Sequence, residues 1–225
     1  MLVLAIDTAL EACSAALFDA AQGAVIASET RIMTRGHAEA LMPLLAGLMK
    51  QSAVSFSDLG RVAVTVGPGS FTGLRVGIAA ARGIGLAAKK PVIGITTLAA
   101  LAAPYIAADP ARPVAATIDG RHRHIYFQLF GTGGRVLLSP RIIPLAEAVD
   151  AAAGASARLV GSGAAMMAEQ WPDAQQPLID ERRAPDIDWV ARLGARASVQ
   201  DAPPKPLYLR PPDAHPQTAN ILPRR

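Results

Sequence analysis

The sequence is poor in the side chains that staple or fill most interiors. Its one cysteine, Cys13, excludes an internal disulfide, and the chain has no CxxC pair or Cys/His cluster with the spacing of a zinc site. Aromatic residues are scarce, with two Trp, three Tyr and five Phe among 225 residues. No apolar run is long enough to cross a bilayer. The longest uncharged stretch, 91–108, is broken by Pro91, Gly94 and Pro104, and it reads as a strand, a turn and a short helix. The start MLVLAIDTALEAC has no basic leader and is interrupted by Asp7 and Glu11, so it fails as a secretory signal. The expectation is a cytoplasmic protein with no membrane segment.

Small side chains are abundant instead. The chain carries 46 Ala and 19 Gly, so its core must rely on close backbone approach rather than on aromatic filling. The net charge is +4 and the pI about 9.6, which invites a nucleic-acid reading. Residues 1–100 hold 8 Lys and Arg against 6 Asp and Glu, and residues 101–225 hold 14 against 12. Each part is therefore +2, and neither is a basic half.

Hydrophobic patterning gives the organisation. Leu2 to Ile6 and Ser14 to Phe18 read as a hairpin, residues 24–32 as a third strand, and 37–52 as a helix with a Leu41, Leu44, Leu45, Leu48 stripe. Strand 61–66, helix 71–88, strand 91–95 and helix 97–107 follow. This order predicts an α/β lobe with a mixed sheet over 1–108. Asp109, Pro110 and Pro113 mark the boundary to a smaller C-terminal lobe, 109–210. Its strands are expected at 114–118, 124–130, 136–143 and 159–161, and its helices at 145–153, near 163–170 and near 186–199. YLR at 208–210 is a candidate edge strand, and proline-rich 211–225 reads as a flexible tail.

The loop Gly67-Pro68-Gly69-Ser70-Phe71-Thr72-Gly73 sits where a strand enters a helix, a place where backbone N–H groups can cradle an anion. It matches neither the Walker nor the dinucleotide spacing, because Thr72 stands where each needs glycine. The simpler reading is a tight turn with Ser70 or Thr72 capping the helix. In that helix Gly73, Gly77, Ala81 and Gly85 recur every four residues, at a cost of about 1 kcal/mol per interior glycine. Such a ridge serves close packing, either on the chain's own sheet or against a partner. Asp7 and Thr8 could orient a nucleotide or a metal, or could simply shape a turn. His122 and His124 alternate on an expected strand, without a visible third ligand. No nucleophile elbow is present.

The block VAVTVGPGSFTGLRVGIAAARGIGLAAKKPVIGITTLAAL (62–101), with IDTALEACSAAL (6–17) and HAEALMPLL (37–45), resembles the bacterial TsaB (YeaZ) family. Beyond residue 103 the similarity is in outline, through 118–130, 159–164 and 206–212. The turn at Asp119 departs from the family pattern, with Gly120 and His124-Ile125-Tyr126 in place of its usual residues. The resemblance implies an actin-like, ribonuclease H-like two-lobe fold. It also implies a part in making the threonylcarbamoyladenosine next to the tRNA anticodon, as non-catalytic partner of a TsaD-like subunit and a TsaE-like ATPase. TsaD-like proteins carry a metal-binding histidine pair after the strand that follows the glycine-loop helix, where this chain reads Ile95-Thr96-Thr97-Leu98-Ala99-Ala100-Leu101. Hence no catalytic residue, metal or cofactor is expected, and Asp7, Thr8, Gly67 and Gly69 remain as candidate vestigial nucleotide loops.

The expected interface to TsaD, or to a second copy when TsaD is absent, comprises Leu41, Leu45 and Leu48 of the first helix. From the second it takes Gly73, Leu74, Arg75, Gly77, Ile78, Ala81, Arg82 and Gly85. Three rivals stand beside this: a nucleotide-binding enzyme acting at Asp7, Thr8, Gly67 and Gly69; a metallopeptidase using His122 and His124; and a tRNA-binding module using Arg121, Arg123, Arg141, Arg224 and Arg225.

Overall fold

The computed structural model describes residues 1–172, 176–200, 202 and 204–210. The chain folds as β1 (Leu2–Asp7), β2 (Ala12–Asp19), β3 (Ala24–Ile32), α1 (His37–Ser52), β4 (Leu59–Gly67), α2 (Phe71–Ala88), β5 (Val92–Thr96) and α3 (Thr97–Ala108). It continues as β6 (Val114–Asp119), β7 (His124–Phe130), β8 (Val136–Pro144), α4 (Leu145–Gly154), β9 (Arg158–Val160), α5 (Ala164–Ala168), β10 (Ile179–Asp180) and α6 (Ile187–Arg196). Two five-stranded sheets result, ordered β3-β2-β1-β4-β5 and β10-β9-β6-β7-β8. Counted from its own first strand, each has the order 3-2-1-4-5. Each also has antiparallel pairing through its first three strands and parallel pairing beyond.

Alternation in the first sheet serves two cores, because successive side chains of a strand point to opposite faces. Leu4, Ile6, Leu17, Val62 and Val64 bury one face under the apolar stripes of α1 and α2. Val3, Ala5, Phe18, Ala63 and Ile93 bury the other under Ile187, Val190 and Ala191 of α6. In the second sheet Ile125, Phe127 and Leu159 face α4 and α5, while Val114, Ala116 and Ile118 face Leu98, Leu101 and Ala102 of α3. Helices α3 and α6 thus lie between the sheets.

Two expectations are corrected. The second lobe does not run to residue 210, because α6 packs on the first sheet, with Gly194 lying against Ala63. Residues 208–210 form no strand. Instead 204–210 cross between the lobes: Leu207 N–H donates to Val66 C=O (2.7 Å), and the Arg210 guanidinium donates to Gly120 C=O (3.1 Å). Pro204 and Pro206 have no N–H to donate to a strand ladder, so the segment cannot continue the pairing that Leu207 begins. The expected tail, 211–225, lies outside the described residues.

Candidate functional site

The β1–β2 turn and the glycine loop, both read as candidate nucleotide loops, do come together. Thr8 Oγ1 donates to Gly73 C=O (2.7 Å), and Ser70 N–H donates to Ala9 C=O (2.7 Å). Gly69 lies directly on the Ala9 backbone, so a side chain there would strike a carbonyl. Two donors of the loop are engaged, Ser70 N–H by Ala9 C=O and Gly73 N–H by the Ser70 hydroxyl (3.3 Å), which caps α2 as the simpler reading expected. Gly67 holds a φ of 115°, in the left-handed region that glycine alone adopts without strain.

Asp7 closes the bottom of this assembly. Its carboxylate is fully buried, and Oδ1 accepts from the Thr65 hydroxyl (2.6 Å) and the Ala9 N–H (3.1 Å). Oδ2 has no hydrogen-bond partner among the described residues. Burial pushes the carboxyl from its ordinary 3.8 up to about 6, against the opposing pull of Thr65, Ala9 and the charge of His37. Such a group is a buried structural acid rather than a solvent-facing ligand. The Thr65 partner was not foreseen, because nothing in RVAVTV marks which residue of β4 lies beside β1's last residue.

The interface expected on α1 and α2 is mostly misplaced. Leu41, Leu45, Leu48, Leu74, Ile78 and Ala81 are buried in the chain's own core, and Gly73, Gly77 and Gly85 meet Thr8, Val64 and Val92. The ridge therefore exists to bring α2 onto the strands beneath it. Arg75 and Arg82 alone of that set are exposed. Periodicity finds the stripe a helix must bury but is silent on whether sheet or partner buries it. The outward side of the same helix layer presents Met42 (53% exposed), Leu86 (83% exposed), Gly47 and Gly83. Around Gly47 and Gly83, apart from the neighbouring turns of the same helix, no atom of the described residues lies within 4 Å of where a Cβ would sit.

In the second lobe only His124 lies on a strand. His122 belongs to the preceding turn, where Arg121, His122 and Arg123 all have positive φ (60°, 51° and 59°), and a His124 ring nitrogen bonds the His122 carbonyl (2.9 Å). The expected alternation of the two imidazoles along one strand is thereby corrected. Among the described residues no three His, Cys, Asp or Glu side chains gather as a metal set. Cys13 is buried, and burial pushes its thiol up to about 11, away from reactivity. No helix among the described residues is long and apolar enough to cross a membrane.

A 3-2-1-4-5 sheet order repeated in two lobes, with loops of both lobes turned toward a crossing segment, defines the actin-like ATPase fold class. The family model described as TsaD, tRNA N6-adenosine threonylcarbamoyltransferase, matches residues 23–174, and the chain belongs to that family. It is 37% identical over 127 residues to the tRNA threonylcarbamoyladenosine biosynthesis protein TsaB of Escherichia coli K12, a match covering 56% of this chain and 54% of that one. The matched region thus spans about half the length of that relative. An uncharacterised protein of Mycobacterium tuberculosis H37Rv is 32% identical over 218 residues, covering 95% of this chain and 94% of its own. The solved structure of YeaZ from Pseudomonas aeruginosa superposes with a TM-score of 0.74 at 27% identity, covering 92% of this chain and 99% of that one. The resemblance carried by GPGSFTGLRVG holds, and the chain is a homologue of TsaB.

Proposed function

We propose that this chain is a non-catalytic partner subunit in threonylcarbamoyladenosine biosynthesis. It docks on a TsaD-like transferase and helps to present it to a TsaE-like ATPase. The observation that carries the reading is the pair of bare glycines on the outer side of the helix layer. Gly47 and Gly83 each cost their helix about 1 kcal/mol relative to Ala, and no other element among the described residues packs at either position. Glycine in such a place lets another backbone approach closely, and Met42 and Leu86 supply apolar contact beside it. A second copy of the chain uses the same face when the transferase is absent. The non-catalytic part of the reading is supported by Thr96 and Thr97 at the place of the histidine pair, and by a glycine loop bonded through Ser70 to the chain's own β1–β2 turn.

The test is co-elution of purified chain with a TsaD-like subunit, followed by reconstituted tRNA modification with and without the chain. Gly83→Leu and Gly47→Leu are expected to abolish co-elution while the isolated variants melt cooperatively. Undiminished co-elution of both would remove this face from the interface. In the isolated chain, Gly83→Ala is expected to add about 1 kcal/mol of stability in urea titration, because the Cβ meets open space.

A further inference from the structure

The crossing segment carries an exposed aromatic and basic surface that the subunit role does not use. Tyr208 stacks on Phe71, with ring centres 5.6 Å apart and planes 28° apart. The Arg75 guanidinium lies 3.7 Å from the Phe71 ring centre, and its Nε–H donates to the Tyr208 hydroxyl (3.1 Å). Both rings remain half exposed, Phe71 at 51% and Tyr208 at 48%. Two residues on, about 7 Å along an extended chain, Arg210 reaches the carbonyl of Gly120 (3.1 Å) and so abuts the turn that exposes Arg121 and Arg123. One continuous track therefore runs from Arg75, Phe71 and Tyr208 through Arg210 to Arg121 and Arg123, spanning both lobes.

Among the described residues no ion pair neutralises its arginines. The five ion pairs among the described residues are Met1–Asp19, Arg31–Glu29, Arg112–Asp109, Arg182–Asp180 and Arg183–Glu11, and none involves a track arginine. The nearest carboxylate placed by a contact is Asp119, whose Oδ1 accepts from the Arg121 backbone N–H (2.8 Å). The even division of charge between the two parts of the sequence conceals this local concentration.

We infer that the track binds single-stranded RNA. The arginines contact phosphates, and the exposed rings of Phe71 and Tyr208 stack against an unpaired base. Alternating cation and ring is the chemistry that holds single strands, since every base offers a π-face and every nucleotide a phosphate. An acidic protein surface would use the arginines but would leave the rings in water. That the nucleic acid is RNA rests on the proposed role in tRNA modification; the track itself does not.

The experiment is fluorescence anisotropy with a labelled RNA stem-loop and the full chain, titrated at several salt concentrations. Binding is expected to weaken linearly on a log–log plot of affinity against salt. Arg121→Glu with Arg123→Glu is expected to lower affinity at least tenfold and flatten that slope. Tyr208→Ala is expected to lower affinity about tenfold with the slope unchanged, because stacking releases no counterions. Lys89→Glu with Lys90→Glu, off the track, is expected to change affinity less than twofold. The inference is overturned by absence of binding at 50 mM salt, by equal loss in the Lys89/Lys90 control, or by polyglutamate competing as well as RNA. Thermal melts confirm that each variant is folded. Each track variant should still co-elute with the TsaD-like subunit, so failure of RNA binding and failure of the subunit role are read separately.

Discussion

The two lobes carry the same loop device in opposite states. β1 and β6, the first strand of each sheet, both end in aspartate, Asp7 and Asp119. β4 and β9 each lead into a glycine of strongly positive φ, Gly67 at 115° and Gly161 at 109°, with a second glycine two residues later. In the first lobe the device is shut: Asp7 is buried, and the glycine loop is bonded to the turn at Thr8 and Ala9. In the second it is open. Asp119 is exposed, its N–H donates to the Ser162 hydroxyl (3.2 Å), and three exposed basic residues follow. A repeated topology thus fixes where loops meet but not what they do. The 18-residue α2 anchors the first glycine loop over the sheet, whereas the five-residue α5 follows the second. The closed copy serves architecture, whereas the second leaves Asp119 and its basic turn exposed.

The comparison is broken most severely at the glycines, where both copies should fail alike. A side chain at Gly73 would strike the Thr8 carbonyl, and one at Gly161 would strike the Thr117 carbonyl from a left-handed backbone. Neither obstacle can rotate away, so Gly73→Val and Gly161→Val should each cost about 3 kcal/mol or more in urea titration. A tolerated Gly161→Val would mean that the second loop is loose as well as open. The aspartates should then separate the copies. Asp7 holds its proton up to about 6 in the folded chain and releases it near 3.8 when unfolded. Between those values the folded state binds more protons, so stability is fully present below 3.8 and is lost as pH rises through about 6. The loss is roughly 3 kcal/mol. Asp7→Asn should remove that fall, and a variant as pH-sensitive as the parent would show that another group carries it.

Strand and helix order was legible from periodicity because almost every element buries a regular stripe. Ile125, Phe127 and Leu129 alternate along β7 onto one core, and the α1 leucines recur at helical spacing. The site was less legible, for physical reasons. Gly73, Gly77 and Gly85 announce close packing but not its partner, and the partner proved to be the chain's own Thr8, Val64 and Val92. Gly83, one letter among them, faces outward, a distinction set by its position around the helix axis relative to the sheet. Tyr208 and Phe71 lie 137 positions apart in sequence and meet only because residues 204–210 return to the first lobe. A basic turn is visible in RHRH, but its junction with that aromatic pair is a tertiary fact.

The smallest expected effect separates the two copies most cleanly. Asp119 is exposed, and its contacts are local: its Oδ1 takes the Arg121 N–H and its backbone N–H meets Ser162. Asparagine keeps an acceptor oxygen at the same place, so Asp119→Asn should change stability at pH 7 by less than about 0.5 kcal/mol. Removing the carboxylate that sits on the Arg121 backbone, in the turn that exposes Arg121 and Arg123, should nevertheless tighten binding of the RNA stem-loop. An exposed charge contact of this kind is worth about 0.2–1 kcal/mol, which corresponds to roughly 1.4- to 5-fold in affinity. Unchanged stability with tighter binding is the result expected of an open loop that faces a polyanion. A large loss of stability would show that the second copy, like the first, is held shut by its aspartate, and the contrast between the lobes would disappear.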